Sequence, residues 1–354
     1  IVIDEWQRFP PSWDLIRRAV DQDASPGQFL LTGSATPSEL PTHSGAGRIV
    51  TLRMRPLTLV EREFDVPTVS VELLLNGLRP PLEGGTTQTL EHYTAEIVRG
   101  GFPGMRFSND RAQRAALDGY LSRMVDVDLP ELGVEVRNPS TMWRWVRAFA
   151  AATSTSSSFD KIRNAATGGE GEKPAKTTIQ GYRDALSRLW LLDEVHAWSP
   201  SKNYLQRLNG APKHHLVDPA LAVRLLGLDR DALLSGQGPT SIPRDGSYLG
   251  ALFESLVTQS VRVFAQRAEA HVGHLRTQGG LHEVDLLVVR GDGKVLAIEV
   301  KLTANIDDTD VRHLKWLQEQ IGNDLLDAIV ITTGAEAYRR RDGIGVVPLA
   351  LLGP

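Results

Sequence analysis

Two acidic residues near the end of the chain, Asp285 and Glu299, have the spacing of paired metal ligands. They belong to two apolar runs that flank Gly291-Asp292-Gly293, and this pattern predicts a β-hairpin centred on Asp292. The register places Asp285 opposite Glu299 on one face, roughly 5 Å apart. Like charges this close destabilise each other, and burial increases the repulsion. We therefore expect a cation, a raised pKa or a neighbouring lysine to offset them.

A divalent metal ion is the simplest of these offsets, because carboxylate oxygens bind Mg²⁺ and Mn²⁺ well. The predicted metal ligands are Asp285 and Glu299, with Glu254 on the preceding predicted helix as a further ligand. Lys301 lies on the same face, two residues after Glu299, where it could orient a water molecule or stabilise developing negative charge. In the alternative interpretation the acids are structural, and Lys301 simply neutralises them.

A second acidic pair, Asp4-Glu5, directly follows the apolar residues Ile1-Val2-Ile3. This is the form of a Walker B element, in which the first acid holds Mg²⁺ through water and the second polarises the water that attacks a γ-phosphate. The alternative is an ordinary buried strand that ends in solvated acids. Further on, "QFLLTGSA" predicts a second strand, and "GAGRIVTLRMRPLTLVEREF" predicts a short strand and a turn at Pro56.

A Walker B element needs a phosphate-binding loop that ends in Gly-Lys-Ser/Thr, and this sequence contains none. Its only Gly-Lys pair, Gly293-Lys294, is followed by Val295 in the predicted hairpin turn. The chain also begins with Ile1 rather than Met, so we expect a fragment that has lost the loop. Without backbone N–H groups around the β-phosphate, nucleotide affinity should collapse. We therefore expect this chain neither to bind nor to hydrolyse ATP appreciably, in contrast to the intact protein.

The composition limits the possible classes of function. The chain has 354 residues, which suggests two or three domains, and 41% of them are hydrophobic, enough to form real cores. Cysteine is absent, which excludes disulfides and thiolate metal sites and fits a cytoplasmic location. No run of about 18 apolar residues is present, so we expect no membrane span. The net charge of −4 gives no overall basic field, so any DNA binding must be local.

The elements that position the acidic residues divide the chain into four segments. Residues 1–64 alternate strand and helix, which predicts an α/β unit with a parallel sheet, and residues 65–90 are rich in Pro, Gly and Thr, which predicts a linker or lid. Residues 91–246 are predicted to be mainly helical, and residues 247–354 have the predicted order α-β-β-β-α-β with a final strand. Both faces of the C-terminal hairpin are largely apolar, which predicts a sheet covered by helices.

The middle segment contains a possible DNA-binding unit. Between residues 154 and 198 the pattern predicts a helix, a glycine-rich loop, a second helix and a strand, which is the order of a winged helix-turn-helix. Such a unit reads DNA through basic side chains on its exposed helix face. Lys173, Lys176, Arg183 and Arg188 are available for this role. The alternatives are a helical packing module and a contact surface for a partner protein.

Along nearly its whole length, the order of these motifs resembles that of prokaryotic AAA+-type P-loop ATPases with a C-terminal domain of unknown function. The likeness rests on "IVIDEWQRFP" as Walker B, "FLLTGSA" as the sensor-1 strand and "GRIVTLRMRPLTLVERE" as the post-sensor segment. It continues in "TTIQGYRDALSRLWLLDEV" as a winged helix. The C-terminal motifs "FESLV", "EVDLL" and "IEVK" resemble the PD-(D/E)xK nuclease superfamily. Residues 65–90 and 228–246 match least.

For the N-terminal segment, the resemblance implies part of a P-loop ATPase sheet that works with ATP and Mg²⁺. Asp4 would hold the Mg²⁺ and Glu5 would activate water. Either Thr32 or Ser34 would be the sensor-1 group that reads the γ-phosphate, and Arg48 would approach phosphate.

For the rest of the chain, the resemblance implies a helical and winged-helix middle and a restriction-endonuclease-like α/β core. In that core Asp285, Glu299 and Glu254 would be metal ligands, and Lys301 would be the catalytic lysine. Three functions are consistent with this: an ATP-driven machine that engages nucleic acid, a non-catalytic module that binds DNA or a partner protein, and an active Mg²⁺-dependent nuclease. We favour the first for the intact protein.

Overall fold

The computed structural model describes residues 1–34, 46–134, 136, 138–167, 175–200, 210–235 and 247–354. Within these ranges the chain has three regions, namely a small N-terminal α/β unit, a helical middle and a C-terminal mixed sheet with helices on both faces. The mixed α/β class predicted from the sequence is therefore confirmed. None of the helices in the described ranges is long and apolar enough to cross a membrane.

The N-terminal unit contains two short parallel strands joined by a helix. Strand β1 (Val2–Ile3) pairs with β2 (Leu30–Leu31), in the parallel arrangement that the sequence predicts. Helix α1 (Pro11–Gln22) has proline at its first position, where a missing N–H does no harm, and it buries Ile16. Within the described residues this sheet has two strands, and Ile1 beside it is 76% exposed.

The short strand predicted in the segment before Pro56 is not present. Residues 49–55 form no strand in the described part of the chain. Two arginines of this segment instead contact the middle region, since Arg53 Nη1 and Arg55 Nε lie 2.7 and 2.8 Å from the carboxylate of Asp193. Asp193 is buried, so its charge needs these partners. Ion pairing therefore holds the segment where strand pairing was expected.

The middle region is helical and has an aromatic core. Trp145 packs against Phe149 and Tyr182 with ring centroids 5.7 and 6.5 Å apart. Side-chain oxygens of Asn109 and Asn138 cap two of the helices. A short strand, β3 (Val69–Ser70), precedes the first helix of the following series. The α-helices described between residues 71 and 234 are α2 (Val71–Leu75), α3 (Leu90–Arg99), α4 (Pro103–Arg106), α5 (Asp110–Arg123), α6 (Leu129–Glu131), α7 (Pro139–Ala151), α8 (Phe159–Ala165), α9 (Lys176–Arg188), α10 (Pro219–Leu225) and α11 (Arg230–Leu234). A π-helical segment, Met124–Asp128, joins α5 to α6.

The region predicted as a winged helix contains the two expected helices, α8 and α9. The strand predicted after them is an extended segment with isolated bridges from Leu192 to Leu216 and from Val195 to Lys213. This much agrees with the predicted order of elements.

Three of the four basic side chains predicted to read DNA are engaged within the protein. Arg183 Nη2 lies 3.0 Å from Glu194 Oε2, and its guanidinium lies 4.0 Å from the ring centroid of Phe159. Lys176 pairs with Asp160 at 3.0 Å. Arg188 also has a contact within the protein, and Lys173 lies outside the described residues. These interactions leave the exposed face of α9 with less free positive charge than the sequence suggested.

The C-terminal region is a six-stranded mixed sheet in the order β4-β5-β6-β7-β9-β8, preceded by a long helix. Strands β6 and β7 are parallel neighbours, and both are buried along their whole length, as expected for central strands covered on both faces. The elements of this region are α12 (Ser247–Arg267), β4 (His271–Arg276), β5 (Glu283–Val289), β6 (Val295–Val300), α13 (Arg312–Ile321), β7 (Leu325–Thr332), β8 (Tyr338–Arg339), β9 (Gly345–Pro348) and β10 (Leu352–Gly353).

Strands β5 and β6 form the predicted hairpin. Leu287 pairs with Ala297, and Arg290 N donates to Lys294 O at 2.9 Å, so the register centred on Asp292 is confirmed. Helices α12 and α2 pack on one face of the sheet, and α13 packs on the other. Both faces of the hairpin are therefore buried, as predicted.

Residues 65–90, predicted as a linker or lid, pack on the C-terminal sheet. Strand β3 pairs in parallel with β10, and α2 buries Leu74 against the sheet. Arg290 Nη1 donates to Leu75 O at 2.7 Å, and Arg339 Nε donates to Pro80 O at 2.7 Å. The segment is therefore part of the C-terminal core.

Candidate functional site

The predicted C-terminal acids converge on a buried lysine, Lys213. Its Nζ donates to Glu254 Oε1 and to Asp285 Oδ1, each at 2.8 Å, and lies 3.4 Å from Glu283 Oε1. The Lys213 side chain is only 1% exposed. One carboxylate from α12 and two from β5 therefore surround a single ammonium group.

The extended segment after residue 210 carries Lys213 into this position. Lys213 and Val195 exchange two backbone hydrogen bonds of 2.9 Å, which fix the segment against the chain that follows α9. Neighbouring side chains point to opposite sides of an extended chain. His214 accordingly points away from the acids, and its Nε2 lies 2.6 Å from Ser157 O.

Sequence reasoning missed Lys213 as a member of the cluster. It lies 72 positions before Asp285, so no local pattern connects the two residues. The available signal was a lysine in "APKHHLVDPALA", a segment that is otherwise predominantly apolar around its histidines. A charged residue in such a segment needs a buried counter-charge.

Burial and charge pairing together set the pKa values in the cluster. Burial raises the pKa of Glu254 to about 8, because Lys213 offsets only part of the desolvation. Burial also acts to raise the pKa of Asp285, but the Lys213 ammonium outweighs it and the pKa is lowered. Burial opposes the charge of Lys213, but Asp285 and Glu254 hold its pKa above the ordinary value. Lys213 and Asp285 therefore form a charged pair, beside a Glu254 carboxyl group whose protonated form is favoured by burial.

The remaining predicted acid, Glu299, pairs with Lys301. Lys301 Nζ donates to Glu299 Oε1 at 2.8 Å, whereas Glu299 Oε2 is buried without a hydrogen-bond partner in the described structure. Burial and the nearby Asp285 raise the pKa of Glu299. Val300 N donates to Asp285 Oδ2 at 2.9 Å, which ties Asp285 to the strand that carries Glu299.

A cavity of about 350 Å³ lies beside these residues. Its lining is polar and contains both signs of charge. The residues around it are Glu283, Asp285, Glu299, Lys301, Thr309, Asp310, Arg312 and His313.

The arrangement does not fit the predicted divalent metal. No three His, Asp or Glu residues in the described ranges are grouped so that they could hold a metal ion. Glu254 and Asp285 bind the Lys213 ammonium, and Glu299 is paired separately with Lys301. Of the three offsets expected from the sequence, the structure therefore contains the neighbouring lysines and the raised pKa values.

The N-terminal acids lie at the carboxyl ends of β1 and β2, together with two hydroxyl groups. Thr32 Oγ1 donates to Asp4 Oδ1, which also accepts from Glu5 N at 3.1 Å. Glu5 Oε2 accepts from Gln7 Nε2 at 2.6 Å and from Ser34 Oγ at 3.2 Å. Four of the predicted nucleotide-site residues, Asp4, Glu5, Thr32 and Ser34, are thus brought together.

The backbone conformation of Glu5 and the exposure of Asp4 affect what this acid pair can bind. Glu5 has a left-handed backbone, with φ of 51°, which is unfavourable for a residue other than glycine. Asp4 is exposed, and its Oδ2 has no hydrogen bond in the described structure, so a carboxylate oxygen remains open to a hydrated cation. The donor set thus fits Mg²⁺ held through water.

Arg48, the remaining predicted nucleotide-site residue, lies apart from this group. Its guanidinium pairs with Asp21 on α1 and donates to Ala46 O at 3.2 Å. In the described structure it makes no hydrogen bond or ion pair with Asp4 or Glu5.

Comparison with protein families divides the chain into three matched parts. Residues 1–63 match a family described as an AAA domain, residues 90–232 match a domain of unknown function (DUF8612), and residues 249–352 match another domain of unknown function (DUF4143). These matches support the coarser part of the resemblance, an AAA-type ATPase-like protein with a C-terminal domain of unknown function.

Two curated relatives match most of the chain. They are uncharacterized proteins of Mycobacterium bovis and Mycobacterium tuberculosis, each 27% identical over 307 residues, which is 86% of this chain and 59% of the relative. The chain thus spans about three fifths of the length of the curated relatives it matches. No solved structure gives a significant match.

Proposed function

We propose that this chain is part of an AAA-type ATPase in which Asp4 and Glu5 serve ATP hydrolysis. The observation that carries this proposal is the meeting of the two acids with Thr32 and Ser34 at the carboxyl edge of a parallel strand pair. This edge is where ligands bind in open α/β sheets. The match of residues 1–63 to an AAA domain supports the same function.

Each residue has a distinct role in this proposal. Asp4 holds the hydration shell of the cation, for which its exposed carboxylate is suited. Glu5 accepts a hydrogen bond from the attacking water, and Gln7 and Ser34 orient its carboxylate. Thr32 fixes the rotamer of Asp4. Bound Mg²⁺ would neutralise charge on the phosphates during transfer.

A hydrolysis assay on the full-length protein tests this role. Glu5→Gln should lower ATP turnover at least about 100-fold while leaving ATP binding intact, because it removes the group that polarises water. Glu72→Gln, at an exposed position of α2, is the matched control and should leave turnover unchanged. The proposal fails if the full-length protein does not hydrolyse ATP, or if Glu5→Gln hydrolyses it at the wild-type rate.

For the C-terminal region we propose a nuclease-like core that serves binding rather than cleavage. The helix and strand order, with Asp285 and Glu299 on adjacent strands and Lys301 after them, supports the likeness to the PD-(D/E)xK superfamily. The pairing of Lys213 with Asp285 argues against cleavage, because it occupies an acid that a metal would need.

Plasmid nicking in the presence of Mg²⁺ or Mn²⁺ tests the absence of cleavage. The wild-type chain should leave supercoiled plasmid intact, at a level equal to that of Asp285→Asn and Lys301→Met. Metal-dependent nicking by the wild type that both variants lose would make the region an active nuclease and overturn this part of the proposal.

A further inference from the structure

A second cavity, of about 510 Å³, lies between helices α5, α7 and α10. Its charged lining is mainly arginine, whereas the other two sites are built around acidic residues. We call it the arginine cleft. Pockets of this size accept small ligands or a portion of a larger one. Its polar and aromatic lining includes Asp118 from α5, Trp143, Arg144 and Arg147 from α7, and Arg224 from α10.

Two of the three arginines in the cleft have no acidic partner among the residues that the structure describes. Arg224 is paired with Asp118, with Nη2 to Oδ2 at 2.7 Å and Nε to Oδ1 at 3.0 Å. Arg144 makes one neutral hydrogen bond, from Nη2 to Thr141 Oγ1 at 3.2 Å. Arg147 makes no hydrogen bond or ion pair in the part of the chain that the structure describes. The cleft therefore has net positive charge on a chain whose net charge is −4.

The packing of α7 holds these arginines at the surface. Trp145 and Phe149 are fully buried in the core of the middle region. Arg144 and Arg147 are three positions apart, so they lie on the same side of the helix and are exposed. Asn138 caps the start of the helix through a hydrogen bond from Thr141 N at 3.2 Å. The two guanidinium groups are thus presented by a rigid element.

The lining also contains an aromatic side chain. Trp143 is half-buried and lines the cleft beside the two free arginines. An aromatic ring next to cationic side chains is the combination that binds single-stranded nucleic acid, since bases stack on the ring and phosphates pair with the cations.

The positive charge continues beyond the cleft. Arg111 and Arg114 precede Asp118 on α5 by seven and four positions, spacings that place all three on one side of the helix. Both arginines are exposed and unpaired within the described ranges. A ligand that also reached them would extend about 10 Å past Asp118 along the helix axis. This favours a polyanion over a small free anion.

We propose that the arginine cleft binds single-stranded nucleic acid, with Arg144 and Arg147 on phosphates and Trp143 against a base. This site differs from the predicted recognition helix α9, whose Arg183 is held by Glu194. It goes beyond the proposed ATPase function, because it supplies the partner on which ATP-driven motion would act. An acidic peptide would engage the arginines without needing the indole ring.

Fluorescence anisotropy with a labelled 15-nucleotide oligothymidine tests the proposal on the full chain. Arg144→Gln with Arg147→Gln should weaken binding about 10-fold near 0.15 M salt and lower the slope of log affinity against log salt by about 1.4, since each phosphate contact contributes about 0.7. Trp143→Leu should weaken binding about 5- to 150-fold, and Trp143→Phe should retain most of the affinity.

A double variant with the same loss of charge is the matched control. Arg18→Gln with Arg341→Gln removes two exposed arginines outside the cleft and should leave affinity unchanged. The proposal is overturned if the oligonucleotide does not bind, or if the control loses as much affinity as the cleft variant. It is also overturned if AMP competes as well as the oligonucleotide, which would indicate a free-nucleotide site. Equal competition by polyglutamate with no effect of Trp143→Leu would indicate an acidic protein partner and would overturn it too.

Discussion

The N-terminal acids Asp4 and Glu5 and the C-terminal acids Asp285 and Glu254 are stabilised in opposite ways. Asp4 is exposed, and Asp4 and Glu5 accept hydrogen bonds from neutral hydroxyl, amide and backbone groups. Among the described residues, their one ion pair is a long surface contact of 3.9 Å from Arg8 Nε to Glu5 Oε2, with the arginine side chain 75% exposed, and such pairs contribute little. Asp285 and Glu254 are held by the ammonium of a buried Lys213. The first set keeps its negative charge available to a ligand, whereas the second is already neutralised from within. Clustered acidic residues thus do not define a cation site by themselves. The charge of the groups that donate hydrogen bonds to them decides whether their negative charge remains available to a ligand.

Removing the buried ammonium group of Lys213 should have the largest effect on the free energy of unfolding. Lys213→Met leaves Asp285 buried without its counter-ion, so it should lower the free energy of unfolding by about 3–5 kcal/mol. Denaturant unfolding of the variant and the wild type measures this difference.

A second lysine substitution shows whether burial is the cause. Lys315 Nζ lies 2.8 Å from Asp342 Oδ2, but the lysine side chain is 40% exposed. Lys315→Met should therefore cost less than about 1 kcal/mol. If both variants lost the same free energy of unfolding, a buried lysine would stabilise its acidic partner no more than a surface lysine does, and burial would not be the cause.

The buried acid should also give the C-terminal region a pH dependence. The pKa of Glu254 is raised by burial to about 8, so the folded state binds the proton more tightly than the unfolded state. This contribution to stability is fully present below the unfolded pKa of about 4.3 and is lost as the pH rises through about 8. Relative to Glu254→Gln, the wild type should lose stability between about pH 5 and pH 8, by at most about 1.4 kcal/mol per pH unit.

Urea unfolding of both proteins across that range measures the effect. The exposed Glu72 provides the control, because Glu72→Gln should leave the pH profile of the wild type unchanged. Parallel profiles for the wild type and Glu254→Gln would mean that Glu254 is ionised in the folded state.

Substitution of the N-terminal acid Glu5 should have the smallest effect on the free energy of unfolding, and the effect should be stabilising. Glu5 has φ of 51°, a conformation that glycine adopts without steric cost. Glu5→Gly should therefore raise the free energy of unfolding by up to about 1 kcal/mol, while it abolishes the proposed hydrolytic role. Glu72→Gly, within helix α2, should instead lower stability by about 0.5–1 kcal/mol. A clear loss of stability in Glu5→Gly would show that the acid is structural.

Local sequence patterns predicted the hairpin well. Gly291-Asp292-Gly293 and the apolar runs beside it determine the turn and the register, and Leu287 pairs with Ala297 as expected. The parallel pairing of β1 with β2 could also be predicted from the sequence, because each strand is an apolar run that ends in polar residues.

Long-range charge pairing could not be predicted in the same way. The partnership of Lys213 with Asp285 depends on how the middle region packs against the C-terminal sheet. The same limit explains why Arg183, which looked available on a helix, is held by Glu194. Arg53 also pairs with Asp193 rather than belonging to a strand. Such contacts between distant residues leave little trace in local periodicity.

Calorimetric titration of Mn²⁺ into the wild-type chain and into Asp285→Ala tests whether Lys213 takes the place of a metal ion among the C-terminal acids. If Lys213 neutralises the C-terminal acids, the two proteins should give the same heats, because Asp285 contributes to no metal site. Stoichiometric Mn²⁺ binding by the wild type that disappears in Asp285→Ala would contradict the account, since it would show that a divalent cation displaces the lysine.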